Sequence, residues 1–189
     1  KAIFFTIVLT VLLSGCQKPK DHVALSGKIT NPNSDKITIV NQNGYKKEIA
    51  VSEDGLFSDT LKIEEGRYRF YDGSEVGTLF LKNGNKTSFT LDAKAFDETL
   101  KFHGDDADKS NVLIAYALLQ EKYLDNDLFD KNPSEFENTF NTLEKEFQNL
   151  KSSYSKIDTS YFKDDNENFE KMRVAYSKFY EDRQALKKE

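Results

Sequence analysis

The chain has 189 residues, of which 38% are hydrophobic and 31% are charged, and its formal net charge is −5 at pH 7. This composition is typical of a soluble globular protein with one ordinary domain or two small ones, and it excludes a disordered or a membrane-spanning chain. The acidic balance argues against nucleic acid as a partner, because phosphate backbones attract an excess of Lys and Arg. The single cysteine excludes an intrachain disulfide and a cysteine-based zinc site.

An apolar run from Ala2 to Leu13 opens the chain and leads into the motif Leu13-Ser14-Gly15-Cys16. The run is too short to cross a membrane as a helix and fits the hydrophobic part of an export signal. Two small residues before a cysteine form the pattern of a bacterial lipobox. We therefore predict a signal peptide over 1–15 and lipid on Cys16. The alternative interpretation is a buried strand or core helix followed by a free cysteine.

A polar tether follows the predicted lipidation site. Residues 16–21 comprise the lipidated Cys16 and a short stretch that contains Pro19, which would hold the following domain off the bilayer. Gln17, rather than Asp, follows Cys16, so the inner-membrane retention signal of other Gram-negative lipoproteins is absent. We predict a lipoprotein of the outer membrane that faces the periplasm.

Short β-prone runs separated by turn residues fill 22–104. Asn43-Gly44 is the clearest hairpin signal, and Phe57 and Leu61 alternate with polar residues in their run. This pattern predicts an antiparallel β-sandwich or barrel of about eight short strands. No helix of ten residues fits between the runs, which argues against parallel βαβ winding. The runs are Val23–Thr30, Ile37–Val40, Tyr45–Val51, Leu56–Ile63, Arg67–Tyr71, Val76–Lys82, Lys86–Leu91 and Leu100–His103.

The hydrophobic period changes to that of helices over 105–189, which makes the predicted fold class α+β. Asn132-Pro133-Ser134-Glu135 is a strong helix start. The third pattern reaches Glu189 with no cap, so we expect a helical segment that is truncated before a missing C-terminal domain. The three apolar stripes are Val112, Leu113, Tyr116, Leu119 and Tyr123; Phe136, Phe140, Leu143, Phe147, Leu150 and Tyr154; and Phe162, Phe169, Met172, Tyr176, Phe179 and Leu186.

No set of residues with a catalytic or metal-binding pattern stands out. We interpret the two histidines, His22 and His103, as structural or solvated. The acidic run 125–130 fails the EF-hand pattern, because it lacks the glycine and places Phe136 at position twelve. The acids of 105–108 and 164–165 fit helix starts. We therefore predict no catalytic residue, no metal and no cofactor.

Two weaker signals concern glycans. Asn85-Lys86-Thr87 matches a glycosylation sequon, which we interpret as accidental in a bacterial lipoprotein. Tyr68 or Tyr71 could line a groove for a sugar or a peptide, although aromatic residues on strands are first of all core residues.

The segment from Phe96 to Gly104, together with Asn111-Val112-Leu113, Gly27-Lys28-Ile29 and Gly66-Arg67-Tyr68, resembles a known lipoprotein family. The resemblance is to the N-terminal region of Bacteroidota TlpA-like thiol–disulfide oxidoreductases. In these a DUF4369-type β-sandwich and a helical segment precede a thioredoxin-like domain. It covers most of 22–189 and rests on core and turn residues.

The resemblance implies a role without catalysis for this chain. The family's redox chemistry needs a Trp-Cys-x-x-Cys motif, whereas this chain has no Trp and one Cys. We therefore predict a lipid-anchored accessory domain, not an enzyme by itself, that positions or helps to dock a C-terminal thioredoxin-like domain. One alternative is a stand-alone lipoprotein that binds a peptide, a glycan or a partner protein. Another is a hydrolase with an active site that matches no known sequence motif.

Overall fold

A computed structural model of the chain describes residues 21–187, which fold into two four-stranded sheets followed by a helical segment. This α+β architecture confirms the predicted fold class. The strands are β1 Val23–Thr30, β2 Lys36–Val40, β3 Lys46–Ala50, β4 Leu56–Leu61, β5 Gly66–Tyr71, β6 Val76–Leu81, β7 Lys86–Asp92 and β8 Lys101–Gly104. The helices are α1 Phe96–Thr99, α2 Ala107–Tyr123, α3 Pro133–Ser153 and α4 Asp165–Leu186, with 3-10 turns at Asn126–Asp130 and Thr159–Phe162.

The strand order is β4-β1-β7-β8 in the first sheet and β3-β2-β5-β6 in the second. Every described pair is antiparallel except β1 with β7, where Ala24 pairs with Lys86 and Thr30 with Asp92 in parallel. The expectation of a wholly antiparallel sandwich was therefore wrong at this pair. The physical reason is that β1 and β7 are not joined by a hairpin, so no turn fixes their relative direction.

The sandwich core is rich in phenylalanine. The ring of Phe70 stacks on those of Phe89 and Phe96, with centroids 4.6 and 5.7 Å apart. Phe57 lies 4.8 Å from Phe89 in the same cluster. Gly27 makes room for the Phe57 ring, because a Cβ at this position would lie 2.6 Å from that ring and would overlap the carbonyl oxygen of Phe89. The four side chains Phe57, Phe70, Phe89 and Phe96 are buried, as large apolar groups at the centre of a core should be.

A second core lies between the helices. Helix α3 begins at the predicted capping box, in which the Asn132 side chain accepts from the Glu135 N–H and the Glu135 carboxylate accepts from the Asn132 N–H. Its apolar stripe packs against α4, where Phe140 meets Phe169 and Tyr176. Within residues 21–187, no helix combines the length and apolarity that crossing a membrane requires.

Helix α2 lies between the two cores and serves both. Ala107 and Ile114 pack against the sandwich core, whereas Tyr116, Leu119 and Tyr123 pack against the helical core. The sequence pattern indicated the second of these faces only. Because the first half of α2 belongs to one core and the second half to the other, this helix joins the helical segment to the sandwich.

Candidate functional site

The predicted lipobox cannot be placed in the fold. Leu13, Ser14, Gly15 and Cys16 lie outside the described residues, so the signal peptide and the lipidation remain predictions from the sequence.

The two histidines occupy separate places. The Nδ1 of His22 lies 3.3 Å from the Asp21 carboxylate, beside β1. His103 is exposed on β8. Across residues 21–187, no group of three or more His, Cys, Asp or Glu side chains is arranged to hold a metal ion.

The acidic runs have structural partners. Asp106, at the start of α2, accepts from Asn85 at 2.8 Å and lies 3.2 Å from the Lys109 ammonium. Burial alone would raise the pKa of Asp106, but Asn85 and Lys109 favour its charged form, and the net shift is downward. Asp125 accepts from the Leu128 N–H at 3.0 Å and caps the following 3-10 turn. None of these contacts resembles a pair of catalytic carboxylates.

The glycosylation sequon is not available in the folded protein. The Thr87 side chain is buried at 2% exposure, and the Asn85 amide is bound to Asp106. An acceptor sequon needs an exposed loop, whereas Thr87 lies in β7 between β1 and β8.

A cleft at one end of the second sheet is the best-formed polar cavity near the predicted groove residues. We call it the Tyr–Asn cleft. It has two adjoining parts of about 480 and 350 Å³, which share Asn41, Asn43, Glu64 and Tyr68. Further lining residues are Asp21, Gln42, Gly44, Tyr45, Lys62, Ile63, Glu65, Gly66, Arg67, Asn83 and Asn168.

The β2–β3 turn forms one wall of the Tyr–Asn cleft. The Asn41 side chain accepts from the N–H groups of Asn43 and Tyr45, each at 2.9 Å. Gly44 supplies the positive φ of +86° that this turn requires. The turn therefore holds Tyr45 beside Tyr68, with the rings 5.6 Å apart and edge to face.

The β4–β5 connection forms the opposite wall. Asn83 donates to the Ile63 carbonyl at 2.6 Å and holds this connection in place. Tyr68 is buried, and its hydroxyl donates to the Glu64 carbonyl at 2.9 Å. Burial raises the pKa of both Tyr45 and Tyr68, which favours the neutral hydroxyl over the phenolate. Tyr71, the other predicted groove residue, does not line the cleft, and its hydroxyl donates to the Gly73 carbonyl.

The chemistry of the Tyr–Asn cleft suits the binding of a polar ligand. Amide, carboxylate, ammonium and guanidinium groups surround an aromatic edge, which is a set of donors and acceptors for a polar ligand. Its described lining contains no His, Cys or Ser, and its ionisable groups are those of Asp21, Lys62, Glu64, Glu65 and Arg67 together with the two tyrosines.

The junction between the sandwich and the helices is the second notable feature. Two adjacent residues of α2 contact the edge strands of the two sheets: Ser110 contacts the second sheet and Asn111 contacts the first. The Ser110 hydroxyl accepts from the Phe80 N–H of β6 at 2.9 Å, and Ser110 is fully buried. Asn111 accepts from the Phe102 N–H of β8 at 2.9 Å and donates to the Phe102 carbonyl at 3.0 Å.

An ion pair adds to this junction. Arg67 of β5 donates to Asp165, the first residue of α4, at 3.1 Å, and the Asp165 side chain is only 11% exposed. The Arg67 guanidinium also lies over the Tyr161 ring, 4.9 Å from its centroid. Burial would lower the pKa of Arg67, but Tyr161 and Asp165 raise it by more, so the cation persists. Sequence reasoning placed Asp165 at a helix start and missed its partner in the sandwich.

Comparison with known proteins finds two partial structural likenesses. No family model matches the chain, and no curated protein matches it. Two solved structures from Bacteroidetes are similar to part of it. They are a DUF3823 family protein from Parabacteroides merdae, at 19% identity, and a candidate cell adhesion protein from Bacteroides ovatus, at 10% identity.

These likenesses are partial. The alignments cover 39% and 47% of this chain, and 46% and 44% of the respective neighbours, and each has a TM-score of 0.30. The chain thus spans less than half the length of the structures it matches.

Proposed function

We propose that this chain is a lipid-anchored, periplasm-facing accessory domain that holds a C-terminal thioredoxin-like domain in a fixed position. The observation that carries the proposal is the junction between sandwich and helices. A spacer that merely tethers a second domain needs no fixed geometry, whereas a domain that orients a partner must be stiff. Here one helix belongs to both cores and hydrogen-bonds to both sheets.

Helix α4 sets the direction in which an attached domain would lie relative to the sandwich. It starts at the Arg67–Asp165 ion pair and runs for 22 residues, which is a length of about 33 Å. Its inner face packs on α3 through Phe169, Tyr176 and Tyr180. A domain attached beyond α4 would therefore be held at a defined distance from the sandwich.

Two experiments test the proposal. Cys16→Ser should release the protein from the membrane fraction of the native host, whereas Ser14→Ala keeps a small residue before the cysteine and should leave the protein membrane-bound. Continued membrane association of Cys16→Ser would contradict the anchor.

The coding sequence beyond Glu189 tests the second part of the proposal. A Trp-Cys-x-x-Cys segment should follow within a thioredoxin-like domain, and a stop codon at that point would contradict the accessory role. Thiol–disulfide reductase activity of the present chain above background would also contradict it, because the single cysteine is consumed by the lipid.

The second candidate function is capture of a polar ligand, which the Tyr–Asn cleft favours. A peptide or a glycan could use the amides of Asn41, Asn43 and Asn168 as well as the exposed charges of Lys62 and Glu64. Glycan and peptide arrays probed with the wild type and with Asn168→Ala would test it. Asn168 lies at the rim on α4 and has no hydrogen bond through its side chain within the described chain, so its loss should weaken binding without unfolding. Equal binding by both would place the ligand elsewhere.

A further inference from the structure

The outer face of the β4-β1-β7-β8 sheet carries a row of three serines and a histidine. Ser58 pairs with Ser26, Ser26 with Ser88, and Ser88 with His103. The row on one side is Thr60, Ala24 and Lys86, and the row on the other is Leu56, Lys28, Thr90 and Lys101. We call these three rows the serine–lysine face.

The serine–lysine face is open to solvent in the described structure. Lys28, Lys86 and Lys101 are exposed and form no ion pair within residues 21–187. The three rows contain no acidic residue, although the whole chain has a net charge of −5. Asp54, Asp92 and Asp105 lie outside the three rows, at the rim of the face. A hydrogen bond from Ser52 and the charge of Lys28 lower the pKa of Asp54, and Asp105 accepts from the Lys86 N–H. The three rows themselves are therefore basic on an acidic protein.

The shape and chemistry of the face suit a flat anionic surface. Four strands about 4.8 Å apart and three rows about 6.7 Å apart span roughly 15 Å in each direction. Hydroxyls between the lysines can donate to phosphate oxygens. The rows contain no Phe, Tyr or Trp, so they offer no stacking platform of the kind that these large rings provide.

The predicted anchor would place this face close to a bilayer. Val23, the first residue of β1, is seven residues after Cys16. An extended chain of this length reaches at most about 25 Å. β1 is an inner strand of the same sheet, so the tether joins the sheet that carries the serine–lysine face.

We infer that the serine–lysine face docks on the anionic phospholipid headgroups of the membrane in which the chain is anchored. This inference rests on the proposed lipid anchor. Each lysine contributes a modest attraction to the anionic headgroups. This attraction is too weak to hold a free protein on the membrane, but it becomes effective once the anchor raises the concentration of the face near the bilayer. Docking of the sheet would lay the sandwich flat on the bilayer and so fix the direction in which the helical segment points.

The test attaches the protein to vesicles without relying on the cell. The chain from Cys16 onward contains every described residue, and its single thiol can be coupled to a maleimide lipid. Lysine acetylation is then measured by mass spectrometry on vesicles of phosphatidylcholine with and without phosphatidylglycerol. We expect acetylation of Lys28, Lys86 and Lys101 to fall about fivefold or more on the anionic vesicles. Three exposed lysines of the helical segment, Lys145, Lys163 and Lys178, should react equally on both.

A charge variant sharpens the result while keeping the lysines as reporters. Ser58→Glu with Thr90→Glu adds two acids to exposed positions of the face and should abolish the protection. Asn149→Glu with Ser155→Glu makes the same change of charge on the helical segment, and the protection of the three face lysines should persist in this variant.

Three outcomes would overturn the docking inference. The first is equal acetylation of all six lysines on both kinds of vesicle, and the second is protection of the helical lysines instead. The third is protection by soluble alginate but not by vesicles, which would assign the face to an anionic polysaccharide. None of these bears on the anchor itself, which the membrane fractionation of Cys16→Ser tests separately.

Discussion

Replacement of Asn111 by alanine should weaken the junction between α2 and the first sheet. The change removes two hydrogen bonds to Phe102, at 2.9 and 3.0 Å, and leaves the N–H and C=O of a buried residue of β8 without these partners. Each of these two backbone groups costs about 1–1.5 kcal/mol when it loses its partner. Alanine regains about 0.6 kcal/mol through its higher helix propensity. The expected net loss in free energy of unfolding is about 2 kcal/mol.

The measurement is urea and thermal unfolding followed by circular dichroism. A loss of about 2 kcal/mol should lower the Tm by roughly 4–8 °C in a protein of this size. Asn149→Ala in α3 is the matched control, because Asn149 is exposed on a helix and its side chain makes no hydrogen bond within the described chain. The control should be neutral or slightly more stable than the wild type. If Asn111→Ala is as stable as Asn149→Ala, the junction does not contribute as the contacts indicate.

Three further predictions concern single positions. The Thr87 hydroxyl is the one buried side-chain polar atom without a hydrogen-bond partner in residues 21–187. Thr87→Val should therefore raise the free energy of unfolding by about 1 kcal/mol in urea titrations, and a destabilised variant would contradict this. Gly27→Ala should lower it by about 2–3 kcal/mol, because the new methyl group meets the Phe89 carbonyl; unchanged stability would mean that the sheets can move apart at no cost. Burial raises the pKa of Tyr161 from 10.0 to about 12, so the folded state holds this proton more tightly than the unfolded state. Stability should then be fully present below pH 10 and fall between pH 10 and 12, with a shallower fall in Tyr161→Phe, and identical pH profiles would refute the shift.

The sequence predicted the elements well where the signals are local. Alternation of Phe57 and Leu61 with polar residues, the Asn43-Gly44 turn and the Asn132–Glu135 capping box each depend on a few adjacent residues. Burial of every second residue and hydrogen bonding within one turn are properties of short segments. For that reason all eight predicted strands are present, with ends that agree to within two residues.

The features that sequence reasoning missed all depend on distant partners. The parallel pairing of β1 with β7 joins segments with five strands between them. Ser110 and Asn111 look like ordinary polar residues of a helix until the edge strands are in place. Arg67 and Asp165 are separated by 98 positions. The hydrophobic periodicity of a short segment carries no information about contacts with distant segments. The Tyr–Asn cleft and the junction could therefore be found only in the three-dimensional structure.

The parallel β1–β7 pair has a consequence for the order in which the protein folds. β1 lies between β4 and β7 and is synthesised before both of them. The edge of β1 that pairs with β7 therefore stays unpaired until residues 86–92 are available. β8 and α2 must then follow before Asn111 can reach the edge of that sheet. Pairings between such distant segments are slow, because loop closure costs entropy before any contact forms. We expect the sandwich to remain incompletely folded and vulnerable to aggregation until α2 has formed and packed against it. Docking of α2 is therefore the step that completes folding of the sandwich.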